Sequence, residues 1–183
     1  MMTLRAFALG RDQRGAAVIE LALVAPIFAL MTIGIVDMSN AFSRKLALEQ
    51  AAQRAIEKIM QTTETSTVED TLTTEAICQF NGTNDDGTCK TSPITSNNVT
   101  VKWRRECTDA SGALTAAPGS PYTTSADFDL SANACPSGTA KEADYIQVQV
   151  ADKYVPMFPI HFADYNSTDG AYDLSATAGV RTK

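Results

Sequence analysis

The chain has 183 residues and a formal net charge of -6. This length leaves room for one membrane helix and one small domain, and the acidic balance argues against nucleic-acid binding by the whole chain. Its single histidine, His161, argues against a His-rich metal site and makes a His-based catalytic triad hard to build.

The first predicted element is an apolar helix over 16–36, with the sequence AAVIELALVAPIFALMTIGIV. Glu20 is its only charge, and a helix of this length is about 30 Å long, which matches the hydrocarbon core of a bilayer. The apolar character covers every side, which disfavours a buried core helix, and the run is too long for a secretory signal peptide. Arg5, Arg11 and Arg14 precede it, so we expect the N-terminus on the cytoplasmic side.

The helix is expected to continue past the membrane. Between Val36 and Gln61 there is no Pro or Gly, and Ala, Leu, Glu, Gln, Lys and Arg favour helix. We therefore predict one helix of roughly 45 residues, with 37–61 as an amphipathic extension. Its apolar residues recur mostly three or four apart, at Phe42, Leu46, Ala52, Ile56, Ile59 and Met60. We expect this stripe to cover a sheet.

Residues 62–183 are predicted to form a separate domain outside the cytoplasm. A linker is expected first, then a short helix near 68–80. Three stretches then alternate apolar and polar residues, which is typical of half-buried strands; they contain Val99–Trp103, Ile146–Val150 and Leu174–Val180. An antiparallel sheet of three or four strands packed under the long helix gives an α+β fold. The long helix, apolar in its first half and amphipathic in its second, resembles the spine of a pilin, so the expected fold is pilin-like.

The four cysteines all follow the apolar segment, which indicates disulfides in an oxidising compartment. Three pairings are possible. We favour Cys78–Cys89 and Cys107–Cys135, since each closes a local loop rich in turn residues, whereas the alternatives would thread across the domain. The second pair would clip a long loop predicted over 108–141.

The segment Tyr154–Phe162, YVPMFPIHF, is apolar and contains two prolines. The favoured interpretation is that this segment covers the hydrophobic core. The alternative is that it forms an exposed contact patch for another subunit.

Little in the sequence indicates catalysis or metal binding. The loop 81–87, NGTNDDG, lacks the Gly and Glu positions of an EF-hand, so a turn is the better interpretation. Two pairs of nearby acids, Asp85 with Asp86 and Asp127 with Asp129, lie in loops where carboxylates are usually solvated. We expect no enzyme activity, no metal and no cofactor.

The junction Arg14-Gly15-Ala16-Ala17-Val18-Ile19-Glu20 resembles a type III prepilin signal, which a prepilin peptidase cuts after the glycine. This resemblance implies a mature chain that begins at Ala16. A carboxylate in an apolar helix costs free energy, up to about 2.5–3.5 kcal/mol at the bilayer centre and less near its edge. In an assembly, Glu20 could pair with the freed amine of Ala16 in a neighbouring subunit and so favour one axial register. The alternative is that Glu20 lies at headgroup depth in contact with water.

The longer segment 14–42 is similar to the TadE-like family of minor pseudopilins from tight-adherence (Flp) pilus systems. The motif residues are Gly15, Glu20, Pro26, Gly34 and Asp37. Pro26 removes one helical hydrogen bond, and it either helps subunits to pack through a bend or local melting or is a harmless kink.

The tail also resembles this family through its Tyr-x-Pro-x-x-Pro segment at Tyr154, Pro156 and Pro159, and through a final strand ending in Arg181. The middle of the chain carries no such resemblance.

The resemblance implies a minor pseudopilin of a Flp-type pilus, processed after Gly15. Its implied partners are the major Flp pilin, other minor pseudopilins, the prepilin peptidase and the inner-membrane assembly platform. The implied location is the bacterial inner membrane, with a cytoplasmic leader over 1–15, a single span and a periplasmic domain. The alternative is an uncleaved, membrane-anchored periplasmic module that binds another envelope protein.

Overall fold

The computed structural model describes residues 14–61, 68–138, 141–158 and 165–183. The predicted leader up to 13, most of the predicted linker, and the tail positions Pro159 and His161 lie outside the described residues. The elements in chain order are α1 Arg14–Gln61, α2 Val68–Asn81, β1 Val99–Thr108, β2 Leu114–Ala116, α3 Ser125–Phe128, β3 Lys141–Tyr154, β4 Tyr165–Asn166 and β5 Ala171–Arg181.

The α+β prediction is confirmed. A long N-terminal helix packs on an antiparallel sheet whose strand order is β2-β1-β3-β5-β4. The three long strands are the ones that the alternating pattern predicted. The two edge strands have only three and two residues, too few for a pattern of period two to mark them.

The core lies between one face of the sheet and the distal half of α1. Alternate residues of the long strands, such as Val101, Trp103 and Val148, are buried. From α1 the buried residues are Leu48, Ala51, Ala52, Ala55 and Ile56, and Leu72 and Ala76 of α2 complete the cover. The alanines add little bulk, so the helix backbone can approach the strands closely.

The prediction that the whole stripe from Phe42 to Met60 covers the sheet is wrong in part. Ala52 and Ile56 are buried and Ile59 packs against the core, but Phe42, Leu46 and Met60 are 56%, 54% and 66% exposed. At 100° per residue, Leu48 and the alanines lie on one side of the helix, while Phe42, Leu46 and Met60 lie on roughly the other. Close packing by the small residues selects the first side.

The structure pairs Cys78 with Cys89 and Cys107 with Cys135, with Cα atoms 4.8 and 5.6 Å apart. The first bond ties the end of α2 to the following loop. The second closes a loop of 28 residues in sequence separation, worth roughly 3–4 kcal/mol on the chain-entropy model.

The segment clipped by the second bond is more ordered than the loop predicted over 108–141. It contains β2 and α3, and Tyr122 exchanges two backbone hydrogen bonds with Trp103 at 2.8 and 2.9 Å. Although this segment has the composition of a loop, its pairing with β1 through β2 and Tyr122 joins it to the edge of the sheet.

Candidate functional site: an exposed apolar helix joined to the domain

The first half of α1 is exposed on every side. Its most apolar 18-residue window has a mean hydropathy of 2.3, and none of that window is buried. The exposed large side chains here include Val18, Ile19, Leu21, Leu23, Ile27, Phe28, Leu30 and Met31. Exposure of so large an apolar surface to water is unfavourable. The first half of α1 could therefore span a membrane, which is consistent with a single-pass anchor.

Gly15 lies in the first turn of α1 and is exposed. A Cβ built on it would meet no atom within 4 Å. Packing among the described residues therefore does not require a glycine here. The side chain of Ala16, the other half of the predicted cleavage site, lies outside the described residues.

Glu20 is also exposed on the helix. Among the residues that the structure describes, no ion pair to Glu20 is present. Its carboxylate therefore faces outward from the chain. The predicted pairing with a neighbouring amine stays a prediction.

Pro26 lies inside α1, and the helix is continuous from Arg14 to Gln61 through it. Local melting at the proline is therefore absent from the single chain. A role in subunit packing stays a prediction.

A carboxylate at the end of the apolar segment joins α1 to the tail. Asp37 is only 5% exposed. Its side chain accepts hydrogen bonds from the Tyr154 hydroxyl at 2.6 Å and from the backbone N–H groups of Met157 at 3.0 Å and Phe158 at 3.3 Å. We call these four residues the Asp37 latch. It attaches the residues after β3 to the helix one position beyond Val36.

The latch shifts the titration of both of its acidic groups. The Tyr154 hydroxyl, followed by the Met157 N–H, lowers the pKa of the Asp37 carboxyl below its usual 3.8. Burial, followed by the hydrogen bond to Asp37, raises the pKa of Tyr154 to about 12. At neutral pH the pair is thus a carboxylate and a neutral phenol, which is the arrangement that the hydrogen bond needs.

A second contact joins helix and sheet further from the apolar segment. Arg44 forms an ion pair with Asp152 of β3 and lies over the Phe80 ring with 5.7 Å to its centroid. Asp152 and Tyr154 are both on β3 and Asp37 and Arg44 are two turns apart on α1, so the two contacts fix the crossing of strand and helix.

On the side of α1 away from the sheet, apolar residues continue beyond the apolar segment. Ile35, Met38, Phe42 and Leu46 are 68%, 51%, 56% and 54% exposed. Their spacing of three or four residues aligns them along the helix, and we call them the outer-face stripe. Leu46 lies ten positions past Val36, about 15 Å further along the axis.

In the described ranges, no group of three or more His, Cys, Asp or Glu residues could hold a metal. The acid pairs considered from sequence act locally: Asp86 accepts hydrogen bonds from Thr88, and Asp127 belongs to the cap of α3 with Thr124. These contacts give both acids a structural role in their loops.

Residues 15–56 match the family model described as TadE-like protein. This segment is therefore similar to TadE-like proteins over most of the long helix. The match covers less than a quarter of the chain. No curated protein and no solved structure matches the chain.

The TadE-like family is a pilus-associated structural family, and the match suggests a protein related to the Tad pilus. The matched range contains all five motif residues, from Gly15 to Asp37, and ends within the part of α1 that packs on the sheet. It therefore includes both the exposed half of the helix and the start of its contact with the domain.

Sequence reasoning placed Asp37 in the TadE-like motif but assigned it no contact. Its partners are 117 to 121 positions away in the chain, so no local pattern could pair them. Two features of the sequence indicated this contact. An acid at the end of an apolar helix needs hydrogen-bond donors, and the Tyr-x-Pro segment of the tail has a hydroxyl and backbone N–H groups that can donate.

Proposed function

We propose that this chain is a minor pseudopilin that takes part in assembling a Flp-type (tight-adherence) pilus, after a prepilin peptidase cuts it between Gly15 and Ala16. It acts by packing against other subunits and does no chemistry of its own. The TadE-like match at residues 15–56 supports the pilus relation.

The observation that carries the finer proposal is the outer-face stripe. An anchor alone needs apolar surface only over the bilayer core, which the 16–36 segment already fills. The stripe continues about 15 Å beyond that segment, on the side of α1 away from the sheet. Each large side chain moved from water into a packed contact contributes about 1.5–3 kcal/mol, so these side chains are suited to a neighbouring helix.

Glu20 supplies register to the same contact. Its carboxylate is exposed and faces away from its own chain. In an assembly from which water is excluded, an unpaired carboxylate is costly, and the freed amine of a neighbour's Ala16 is a partner of opposite charge. Misaligned helices would leave both charges unpaired, which favours one axial position.

In the proposed topology the N-terminus is cytoplasmic and the domain is periplasmic. The basic residues before the span support the first part, and the two disulfides, which are typical of an oxidising compartment, support the second. The partners that we propose are the major Flp pilin, other minor pseudopilins, the prepilin peptidase and the inner-membrane assembly platform.

The test is Glu20→Ala, with Glu20→Asp as the matched control that keeps a carboxylate. Both variants should insert in the inner membrane and be processed like the wild type. Glu20→Ala should lose pili and subunit association, counted by electron microscopy and co-purification, while Glu20→Asp should retain most of both. Normal piliation by Glu20→Ala would contradict the pairing role.

A further inference from the structure

The loop that follows β3 is held beside the end of the apolar segment. Asp37 accepts the N–H groups of Met157 and Phe158, and the Asn40 side-chain amide lies 3.5 Å from the Met157 sulfur. The loop 155–158 therefore runs alongside the first turn of α1 after Val36. Its height along the helix axis is set by these contacts.

Two apolar side chains of this loop face outward. Val155 and Met157 are 65% and 69% exposed, whereas Tyr154, the last residue of β3, is 8% exposed. The favoured interpretation of this segment as core cover is therefore wrong for Val155 and Met157. On α1, Val36 and Met38 flank Asp37 in sequence and are also exposed, at 45% and 51%. Exposed apolar side chains of the loop and of the helix thus lie at the same height along α1.

We propose that the loop 155–158 inserts Val155 and Met157 into the interfacial layer of the bilayer leaflet on the domain's side. The proposal rests on α1 spanning the membrane, as in the proposed function. A segment that fills the hydrocarbon core ends near Val36, and the loop is fixed within a turn of that point, so its apolar side chains meet lipid acyl chains just below the headgroups.

Lipid is the occupant that the geometry favours. The latch fixes the exposed apolar side chains of the loop at the level where the lipid-facing surface of α1 ends. The consequence is a second membrane contact. One spanning helix leaves the domain free to tilt, whereas a helix and an adjacent inserted loop fix its orientation to the membrane plane.

The experiment uses the full chain with Met157→Trp, reconstituted in phosphatidylcholine and phosphatidylglycerol vesicles. The latch bonds Met157 through its backbone and the Met157 side chain is exposed, so the substitution keeps the latch and removes only the contact of Asn40 with the sulfur. The native Trp103 is 4% exposed in the core and provides the background emission, which is subtracted. The quenchers are lipids brominated near the headgroup or near the acyl-chain end, and aqueous iodide.

The matched control is Leu114→Trp. Leu114 is 68% exposed, but it pairs with Thr108, which pairs with Lys141 at the opposite end of β3 from Tyr154. That end is roughly 40 Å from the latch. Phe28→Trp, inside the apolar segment, reports the span itself.

We expect the added emission of Met157→Trp to be lost with headgroup-proximal bromine and to resist iodide, while Leu114→Trp shows the reverse. Iodide quenching of Met157→Trp equal to that of Leu114→Trp would overturn the inference. Protection from iodide without bromine quenching would also overturn it, since a protein would then cover the loop. Phe28→Trp separates the two failures: if deep bromine does not quench it, the span itself is wrong.

Discussion

Asp37 is a buried carboxylate whose donors come from the far end of the chain. A buried carboxylate with three donors is well satisfied, whereas its removal takes the acceptor away from two backbone N–H groups and the shorter bond away from the Tyr154 hydroxyl. This asymmetry makes the latch sensitive to single substitutions.

We predict that Asp37→Ala lowers the Tm of the domain in detergent by about 5–10 °C, because it removes the carboxylate acceptor of two backbone N–H groups and leaves the Tyr154 hydroxyl only its longer bond of 3.2 Å to the backbone carbonyl of residue 37. Asp85→Ala is the control, since it removes the same charge from an exposed loop and should leave the Tm unchanged. Circular dichroism during heating measures both. Equal melting of the two variants would show that the latch contributes nothing to stability.

The latch also predicts a dependence on alkaline pH. The raised pKa of Tyr154, about 12, means that the folded chain keeps a proton that the unfolded chain releases near pH 10. The free energy of unfolding should therefore fall between pH 10 and 12. The lowered pKa of Asp37 acts in the other direction, with its stabilisation complete above about pH 4 and lost as the pH falls below that value.

Tyr154→Phe should remove the Tyr154 part of the alkaline loss, so its denaturation midpoints should change less between pH 10 and 12 than those of the wild type. Tyr145→Phe is the matched control on the same strand and should retain the wild-type profile. Chemical denaturation across the pH range measures these midpoints. A wild-type slope in Tyr154→Phe would assign the loss to other groups.

At the scale of elements, α1 has a buried face and an exposed face beyond the apolar segment. Leu48 and the three buried alanines belong to the core, while the residues of the outer-face stripe are exposed. The two faces share one helix, so a substitution on the outer face should separate folding from assembly.

We predict that Leu46→Glu leaves the free energy of unfolding within about 0.5 kcal/mol of the wild type, since Leu46 is exposed. It should nevertheless reduce association with other pilus subunits, because a charge would enter an apolar helix contact. Gln53→Glu, an added charge at an exposed polar position, should preserve association. Co-purification measures this, and equal recovery with Leu46→Glu would exclude the stripe as a subunit contact.

The sequence predicted the long helix, α2 and the three long strands because each carries a periodicity over many residues. It did not predict which side of α1 is buried, since Phe42 and Leu46 are more hydrophobic than the alanines that pack on the sheet. Hydrophobicity ranks side chains by their free energy of transfer from water. Packing of a helix on a sheet also favours small residues, because they let the two backbones approach closely. The edge strands and the latch depend on distant partners, which a local pattern does not contain.

For the whole molecule, an exposed apolar helix, a disulfide-bonded domain and the latch between them form one subunit. The latch holds the domain at the end of the apolar segment, so a force or contact on the domain is passed to the helix.

The proposed function depends most on cleavage after Gly15, because cleavage creates the amine of Ala16 with which Glu20 is proposed to pair. The direct measurement is the intact mass of the native chain purified from its own cells, beside Gly15→Arg, at a position where an added Cβ would meet no atom of the described residues within 4 Å. We predict that the native chain begins at Ala16 and that Gly15→Arg keeps its leader. A native mass that includes the first fifteen residues would contradict the account and leave a tethered envelope domain.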